Sequence, residues 1–326
     1  MALGKLERVD LRDIWSDEAR DFTPWLASEE NLQILGETIG IELELEAQEK
    51  NVGPFSADIL CRDTEDSSWV LVENQLERTD HKHLGQLLTY AAGLHTVTII
   101  WVAARFTEEH RAALDWLNEI TDDQFRFFGL EVELWRIGES FAAPKFNIIS
   151  KPNDWSRTVS RAARNLSEKD LTPTKANYLN YWTALAAFLE EQGSPFNCRK
   201  ARPQHWQTFS VGRSGFILSA LGAVKDDWIA AELYINHENA KAFFHELLAD
   251  KDEIENELGF TLDWQELPTK KATRLRLLNA GINPLDKASW PQQFNWFKEK
   301  LEIMNRVFRP RVKALKGNMQ PAEAAE

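Results

Sequence analysis

Two acidic residues lie inside short apolar segments of the kind that form the core of a protein. Asp58 stands between Ser-Ala and Ile-Leu-Cys, and Glu73 lies in the run Trp69-Val-Leu-Val-Glu-Asn-Gln-Leu76. Burying a carboxylate on a strand is costly unless a cation or hydrogen-bond donors meet it. The two residues therefore predict a partner, and a metal ion is the simplest one.

The spacing within the second segment places a third polar side chain near these carboxylates. Side chains alternate between the faces of a strand, so Glu73 and Gln75 share one face. If the two segments pair as a hairpin, Asp58 lies beside Glu73, and each carboxylate raises the pKa of the other. A divalent cation removes that penalty, and Mg²⁺ binds through one or two carboxylates together with water and a substrate phosphate. Such an ion can activate water for phosphodiester hydrolysis.

The elements that must position these residues follow a regular order. The hydrophobic periodicity predicts a helix at about 24–39, strands at 41–47, 55–61 and 69–76, a helix at 81–94, a strand at 96–104, a helix from 107 and one or two strands at 125–137. Three antiparallel strands followed by a crossover helix and a parallel strand give an α/β (α+β) domain with a mixed sheet flanked by helices.

This order, with Asp58 and then Glu73-Asn-Gln75 on consecutive strands, resembles the PD-(D/E)XK nuclease superfamily and its αβββαβ core. The run Gln86-Leu-Leu-Thr-Tyr90 also resembles the QxxxY helix motif of the RecB-like branch. The resemblance covers roughly residues 25–105. It implies a restriction-endonuclease-like fold and a hydrolase that cleaves DNA with Mg²⁺ or Mn²⁺, in defence or repair.

The resemblance also implies a role for each matching residue. Asp58 and Glu73 would bind the metal, Gln75 would occupy the position usually held by lysine, Glu37 would be the auxiliary helix carboxylate, and Gln86 and Tyr90 would orient the substrate. Glu42 and Glu44 are alternatives to Glu37, and all three could instead be solvated surface residues. Gln86 and Tyr90 could orient the metal shell instead of the substrate, or form an ordinary helix-packing pair. For Asp58, Glu73 and Gln75 the alternative is a set of ordinary polar residues on edge strands.

The clearest departure from the family pattern is Gln75. A glutamine amide can orient water, but it carries no positive charge and is a poor acid or base. Ala57 also precedes Asp58 where the motif has proline. The alternative to an active nuclease is therefore a catalytically degenerate nuclease fold that binds nucleic acid or protein.

The whole chain of 326 residues predicts two domains, at 1–145 and 153–316, with a disordered tail at 317–326. Residues 1–150 hold 13 Lys and Arg against 29 Asp and Glu, whereas residues 151–326 hold 25 against 22. The second half is therefore the better candidate for contacting phosphates. Its basic clusters at 270–276 and 306–316 could do so, but a solvated surface and, for the second cluster, a favourable interaction with the helix dipole are the alternatives and are slightly favoured.

The second half resembles the DUF4268 family, through Phe209-Ser-Val-Gly212, the strand Trp228–Ile235 and Ile254-Glu-Asn-Glu-Leu-Gly259. Helices at 154–166, 172–192 and 290–315 and a meander of strands predict a second α+β domain.

Several classes of protein are disfavoured by the rest of the sequence. No apolar run approaches a membrane span, no signal peptide is evident, and two cysteines exclude a cysteine-rich zinc site. For His81 and His83, the sequence favours helix capping or a surface position over zinc binding. We expect a cytoplasmic protein that binds DNA and makes no membrane contact, and a homodimer is a candidate assembly.

Overall fold

The computed structural model describes residues 3–52, 55–94, 97–121, 125–152, 172–198 and 201–317. The predicted helix at 154–166 and almost all of the predicted tail lie outside these residues. The chain divides into two compact units, Met1–Asp63 with Ser67–Lys169 and Thr64–Asp66 with Asp170–Glu326. No helix in the described part of the chain is long and apolar enough to cross a membrane.

The first unit follows the predicted order of helices and strands, except that two shorter helices replace the single helix predicted at about 24–39 and further elements lie before it and after residue 137. Its elements are β1 (Leu6–Val9), α1 (Leu11–Ile14), a π-helical turn (Glu18–Phe22), α2 (Thr23–Leu26), α3 (Glu29–Ile39), β2 (Leu43–Val52), β3 (Phe55–Asp63), β4 (Trp69–Arg78), α4 (His81–Leu94), β5 (Val97–Arg105), α5 (Glu108–Ile120), β6 (Phe125–Ile137) and β7 (Ala143–Ser150).

These strands form one mixed sheet of seven strands. The order is β1-β6-β5-β4-β3-β2, and β7 also pairs with β6. The β2–β3 and β3–β4 pairs are antiparallel, whereas β4–β5 and β5–β6 are parallel. The predicted mixed sheet flanked by helices is therefore confirmed.

Successive residues of β4 contribute to cores on opposite faces of this sheet. Val70 and Val72 pack with Leu32 and Leu35 of α3 on one face. Leu71 packs on the other face in a cluster that includes Leu87, Trp101 and Leu114 from α4, β5 and α5. The strict alternation along β4 therefore holds, and it places Glu73 and Gln75 on the face covered by α4 and α5.

Two glycines let α3 end sharply and enter β2. Gly40 is the C-cap of α3 and has a φ of 73°, a left-handed conformation that favours glycine. A Cβ atom at Gly36 would lie 2.5 Å from the Ile41 carbonyl oxygen, so only glycine allows the chain to pack this closely.

The first sheet extends beyond the predicted domain limit at residue 145. β7 pairs antiparallel with β6, where Pro144 lies opposite Leu134. Proline lacks an N–H to donate and is tolerated in strands at the edge of a sheet. Pro144 therefore lies in an edge strand, which ends at Ser150.

The second unit has a sheet of five antiparallel strands with helices packed on it. Its elements are α6 (Pro173–Glu191), β8 (Trp206–Ser210), β9 (Phe216–Ala223), β10 (Trp228–Ile235), α7 (Ala240–Ala249), α8 (Lys251–Leu258), β11 (Asp263–Gln265), β12 (Thr273–Ala280), a 3-10 turn (Lys287–Ser289) and α9 (Trp290–Ala314). The sheet order β11-β12-β10-β9-β8 contains the predicted meander and confirms a second α+β region.

Candidate active site

The β3–β4 hairpin places Asp58 and Glu73 on neighbouring strands. Ile59 and Val72 are the last pair of this antiparallel ladder, so Asp58 and Glu73 are the next residues along the two neighbouring strands. The Asn74 backbone N–H donates a hydrogen bond of 2.9 Å to Asp58 Oδ2, which holds this carboxylate against β4. Asn74 itself lies on the opposite face and donates to Thr23 Oγ1 of α2.

Glu73 is a buried carboxylate, with only 2% of its surface exposed. Burial, followed by the negative charges of Asp58 and Glu18, raises the pKa of Glu73 to about 9, and the positive charge of Lys82 opposes this rise. Its Oε2 atom is buried and accepts no hydrogen bond in the part of the chain that the structure describes. One oxygen of this buried carboxyl group therefore has no hydrogen-bond partner among the described residues.

Glu18 is a member of this acidic site that the sequence reasoning missed. It lies at the start of the π-helical turn, and its Oε2 atom accepts a hydrogen bond of 2.7 Å from the Leu76 backbone N–H. The sequence offers one signal, the position of Glu18 between the aromatic residues Trp15 and Phe22. In the structure these two side chains are 4% and 0% exposed and anchor the segment on the core. Only tertiary packing shows that Glu18 reaches β4.

The structure does not bring Glu37 to the same place. Glu37 lies on the exposed side of α3, and its Oε1 atom accepts a hydrogen bond of 2.9 Å from Gln33 Nε2. Glu44 lies on β2 opposite Arg62, and Glu42 precedes that strand. None of the three is among the main charges that shift the pKa of Glu73. Glu18 is therefore better placed than any of them to act as the auxiliary carboxylate.

Gln75 is buried on the same face of β4 as Glu73, and both ends of its amide are engaged. The Trp101 indole N–H donates a hydrogen bond of 2.9 Å to Gln75 Oε1, and Gln75 Nε2 donates to the Arg78 carbonyl oxygen. An indole only donates and a carbonyl only accepts, so the orientation of this amide is determined by its partners. Two hydrogen bonds therefore fix the position of the Gln75 amide beside Glu73.

Gln86 and Tyr90 lie on α4 beside the carboxylates. Burial and the charge of Glu73 raise the pKa of Tyr90 to about 12, although a hydrogen bond from Gln86 works against this rise. The Oε1 atom of Gln86 is buried and has no hydrogen-bond partner among the described residues. The two side chains thus touch each other and border the acidic site.

The histidines at the start of α4 have partners that do not form a zinc site. His83 Nδ1 lies 2.8 Å from Asp80 Oδ2, and the His83 backbone N–H donates to Asp80 Oδ1. His81 Nδ1 lies 2.9 Å from Nε2 of the buried His110 of α5. Within the described ranges, no group of three or more His, Cys, Asp or Glu side chains could hold a metal ion.

The donor set of Asp58 and Glu73 nevertheless fits a hard divalent cation. Mg²⁺ keeps several of its waters and binds through one or two carboxylates plus substrate phosphates. The unpartnered Oε2 atom of Glu73 is an oxygen donor of that kind, and a cation beside it would offset the repulsion from Asp58. The two residues could therefore hold Mg²⁺ or Mn²⁺ with water and phosphate completing the coordination.

Three arginines of the basic clusters of the second unit form ion pairs within that unit. Arg276 Nη2 lies 2.6 Å from Oε2 of Glu232, a residue that is 4% exposed, and Arg274 Nη1 lies 3.7 Å from the same oxygen. Arg311 Nη1 donates a hydrogen bond of 3.0 Å to Glu257 Oε2. These arginines therefore stabilise the second unit itself.

Comparison with solved structures found partial likenesses. A repair endonuclease from Pyrococcus abyssi is 22% identical over 35% of this chain and 47% of its own, with a TM-score of 0.28. A structure of an EndoMS–dsDNA complex is 25% identical over 27% of this chain and 39% of its own, with a TM-score of 0.23. The chain spans less than two thirds of each of these structures.

A third solved structure, Pyrococcus furiosus SfsA in complex with Ca²⁺, is 13% identical over 39% of this chain and 59% of its own, with a TM-score of 0.22. No curated protein matched the sequence. Residues 177–312 match the family model described as "Domain of unknown function (DUF4268)". The expected DUF4268 domain in the second half of the chain is therefore confirmed over these residues.

Proposed function

We propose that the first unit is a divalent-metal-dependent nuclease that hydrolyses phosphodiester bonds of DNA, in defence or repair. The observation that carries the proposal is Glu73, a buried carboxyl group with an unpartnered oxygen near Asp58 on the neighbouring strand. Such an arrangement destabilises the metal-free protein, and strongly perturbed carboxyl groups of this kind concentrate at functional sites.

In this proposal Asp58 and Glu73 hold Mg²⁺ or Mn²⁺. When bound, the metal would lower the pKa of a water molecule and polarise a phosphate oxygen. The Asn74 backbone N–H holds the Asp58 carboxylate in place, and Glu18 adds negative charge that favours cation binding. Gln86 and Tyr90 border the site, where they can orient the scissile phosphate. The protein would act in the cytoplasm, as a monomer or a homodimer.

A cleavage assay with matched variants tests the proposal. The full chain is incubated with Mg²⁺ or Mn²⁺ and with single-stranded DNA, double-stranded DNA or RNA. Asp58→Asn and Glu73→Gln keep the shape of each side chain and remove its charge. We expect each to slow cleavage by at least about 10³-fold, as loss of a metal ligand should.

Glu77→Gln is the control, because Glu77 lies on the same strand and its side chain is 72% exposed. We expect this variant to cleave at the wild-type rate. Cleavage that survives in the double variant Asp58→Asn, Glu73→Gln would show that another site carries the activity.

The geometry of Gln75 favours a second candidate, a degenerate nuclease fold that binds nucleic acid or protein without cleaving it. Both ends of the Gln75 amide are engaged, and the position carries no charge. Titration with Mg²⁺ or Mn²⁺ separates the two candidates, because a cation that binds only the folded state raises the melting temperature. Binding of DNA with no stabilisation by either ion would favour the second candidate.

A further inference from the structure

If the first unit cleaves DNA, a side-chain cation that acts beside the metal ion must come from a position other than 75. Hydrolysis of a phosphodiester builds negative charge on the phosphate oxygens, and donors or cations aimed at this charge lower the barrier. Gln75 cannot supply it, since its Nε2 donates to the Arg78 carbonyl oxygen and its Oε1 accepts from Trp101.

Helix α4 presents a stripe of three polar side chains at the edge of the acidic site. Lys82, Gln86 and Tyr90 are spaced four residues apart, so they lie above one another on the helix surface. Tyr90 is buried, Gln86 is half-buried and Lys82 is exposed, so the stripe leads from the core to solvent. Tyr90 packs in the same core as Leu71, on the face of β4 that carries Glu73, and burial followed by the charge of Glu73 raises the pKa of its phenol, so the buried end of the stripe lies near that carboxyl group.

Lys82 is the cation among the main charges acting on Glu73. The neighbouring acidic residue, Asp80, is held by His83, through both the backbone N–H and the imidazole Nδ1 of that residue. The Lys82 ammonium group has no ion pair or hydrogen bond within the ranges that the structure describes. It is therefore available to an anion that enters the site from solvent.

We propose that Lys82 is a catalytic residue that contacts a non-bridging oxygen of the scissile phosphate and supplies the positive charge that Gln75 lacks. This inference rests on the proposed nuclease function. In the reaction a P–O bond forms to the oxygen of water, and the P–O bond to the leaving nucleoside oxygen breaks. The water gives its proton to solvent, the leaving oxygen takes a proton from solvent, and Lys82 stays protonated throughout.

Three variants of the full chain test this role. Lys82→Met removes the charge and keeps the length of the side chain, Lys82→Arg keeps the charge, and Lys145→Met is the control at an exposed lysine of β7. We expect Lys82→Met to lower kcat on the order of 10²-fold, a size typical of losing one group that stabilises the transition state. Lys82→Arg should retain at least about a tenth of the rate, and Lys145→Met all of it.

The affinity for Mn²⁺, measured by calorimetry without DNA, provides a second readout of opposite sign. Removing a cation beside the carboxylates should tighten Mn²⁺ binding several-fold, whereas structural damage would weaken it. The inference is overturned if the wild type cleaves DNA and Lys82→Met cleaves within about twofold of it, or if Lys82→Met loses Mn²⁺ affinity together with cleavage. A wild-type protein that cleaves no substrate with either ion would overturn the proposed function and this inference with it.

Discussion

Glu73 of the first sheet and Glu232 of the second are the same residue type at a similar depth, 2% and 4% exposed. Glu232 lies on β10 and faces Arg276 on the paired strand, whose Nη2 and Nε atoms lie 2.6 and 2.8 Å from its Oε2. Glu73 lies on β4 and has Asp58 and Glu18 as its main charged neighbours. One buried carboxylate is neutralised by its surroundings, and the other is made less stable by them.

The difference separates a structural ion pair from a candidate site. A buried carboxylate with an arginine satisfies its charge within the fold, so its removal should damage the fold. A buried carboxylate among other carboxylates destabilises the metal-free fold and can be compensated by a bound cation. Its removal should therefore lower activity and raise the free energy of unfolding of the metal-free protein. The two glutamates therefore provide matched tests within one chain.

The largest effect on stability is expected for Glu232→Gln. It leaves Arg276 with no full counter-charge, so the free energy of unfolding of the second unit should fall by about 4 kcal/mol. Urea denaturation followed by tryptophan fluorescence measures this loss. The exposed Glu238 supplies the control, and Glu238→Gln should change stability by less than about 0.5 kcal/mol. A loss no larger than that of the control would remove the contrast with Glu73.

A smaller effect of opposite sign is expected for Glu73→Gln in the metal-free protein. Because the pKa of Glu73 is raised to about 9, the folded state keeps a proton that the unfolded state loses above the ordinary pKa of 4.5. Wild-type stability should therefore fall as pH rises from about 5 to 9, by at most about 1.4 kcal/mol per pH unit. The variant stays neutral and should lack this slope, so it should exceed the wild type by about 2 kcal/mol near pH 7.

Urea denaturation at several pH values in the presence of a chelator measures both slopes. Glu77→Gln should follow the wild-type curve, since Glu77 is exposed. Parallel curves for the wild type and Glu73→Gln would mean that Glu73 is ionised in the folded protein, and the comparison with Glu232 would then fail.

The smallest effect separates the two candidates for the auxiliary carboxylate. Glu18→Gln removes a charge that acts on Glu73, so the affinity for Mn²⁺ should fall by about 10-fold, as for other groups that support metal ligands. Glu37→Gln removes an exposed charge on α3 and should leave the affinity unchanged. Titration calorimetry measures both, and an equal loss in the two variants would show that only net charge matters.

The order of the elements was predictable because local patterns determine it. The alternation of Val70 and Val72 with Leu71 predicted a strand at 69–76, and the structure places the two valines in one core and the leucine in another. Asp80 marked the start of α4, and it accepts a hydrogen bond from the His83 backbone N–H there. In both cases the signal lies within a few residues of the element that it specifies.

Contacts that join distant residues were not predictable in this way. Glu18 reaches the Leu76 N–H across 58 residues, and Trp101 reaches Gln75 across 26. No local pattern encodes these pairs, since they arise only when the segments that carry them pack on β4. The family resemblance implied Glu37, because that residue lies on the helix before the three strands. The structure places it on the exposed side of α3, which the order of the elements does not reveal.

The sequence by itself determined the mixed sheet and the two acidic residues on neighbouring strands, because strand periodicity and turn residues are local properties. Only the tertiary structure decided what surrounds those carboxylates. It shows that Glu73 is buried and that Glu18 lies near it. It also shows that hydrogen bonds fix the Gln75 amide and that Lys82 lies at the exposed end of the stripe on α4. Burial and charge depend on every segment packed around a group, so they follow from the fold as a whole.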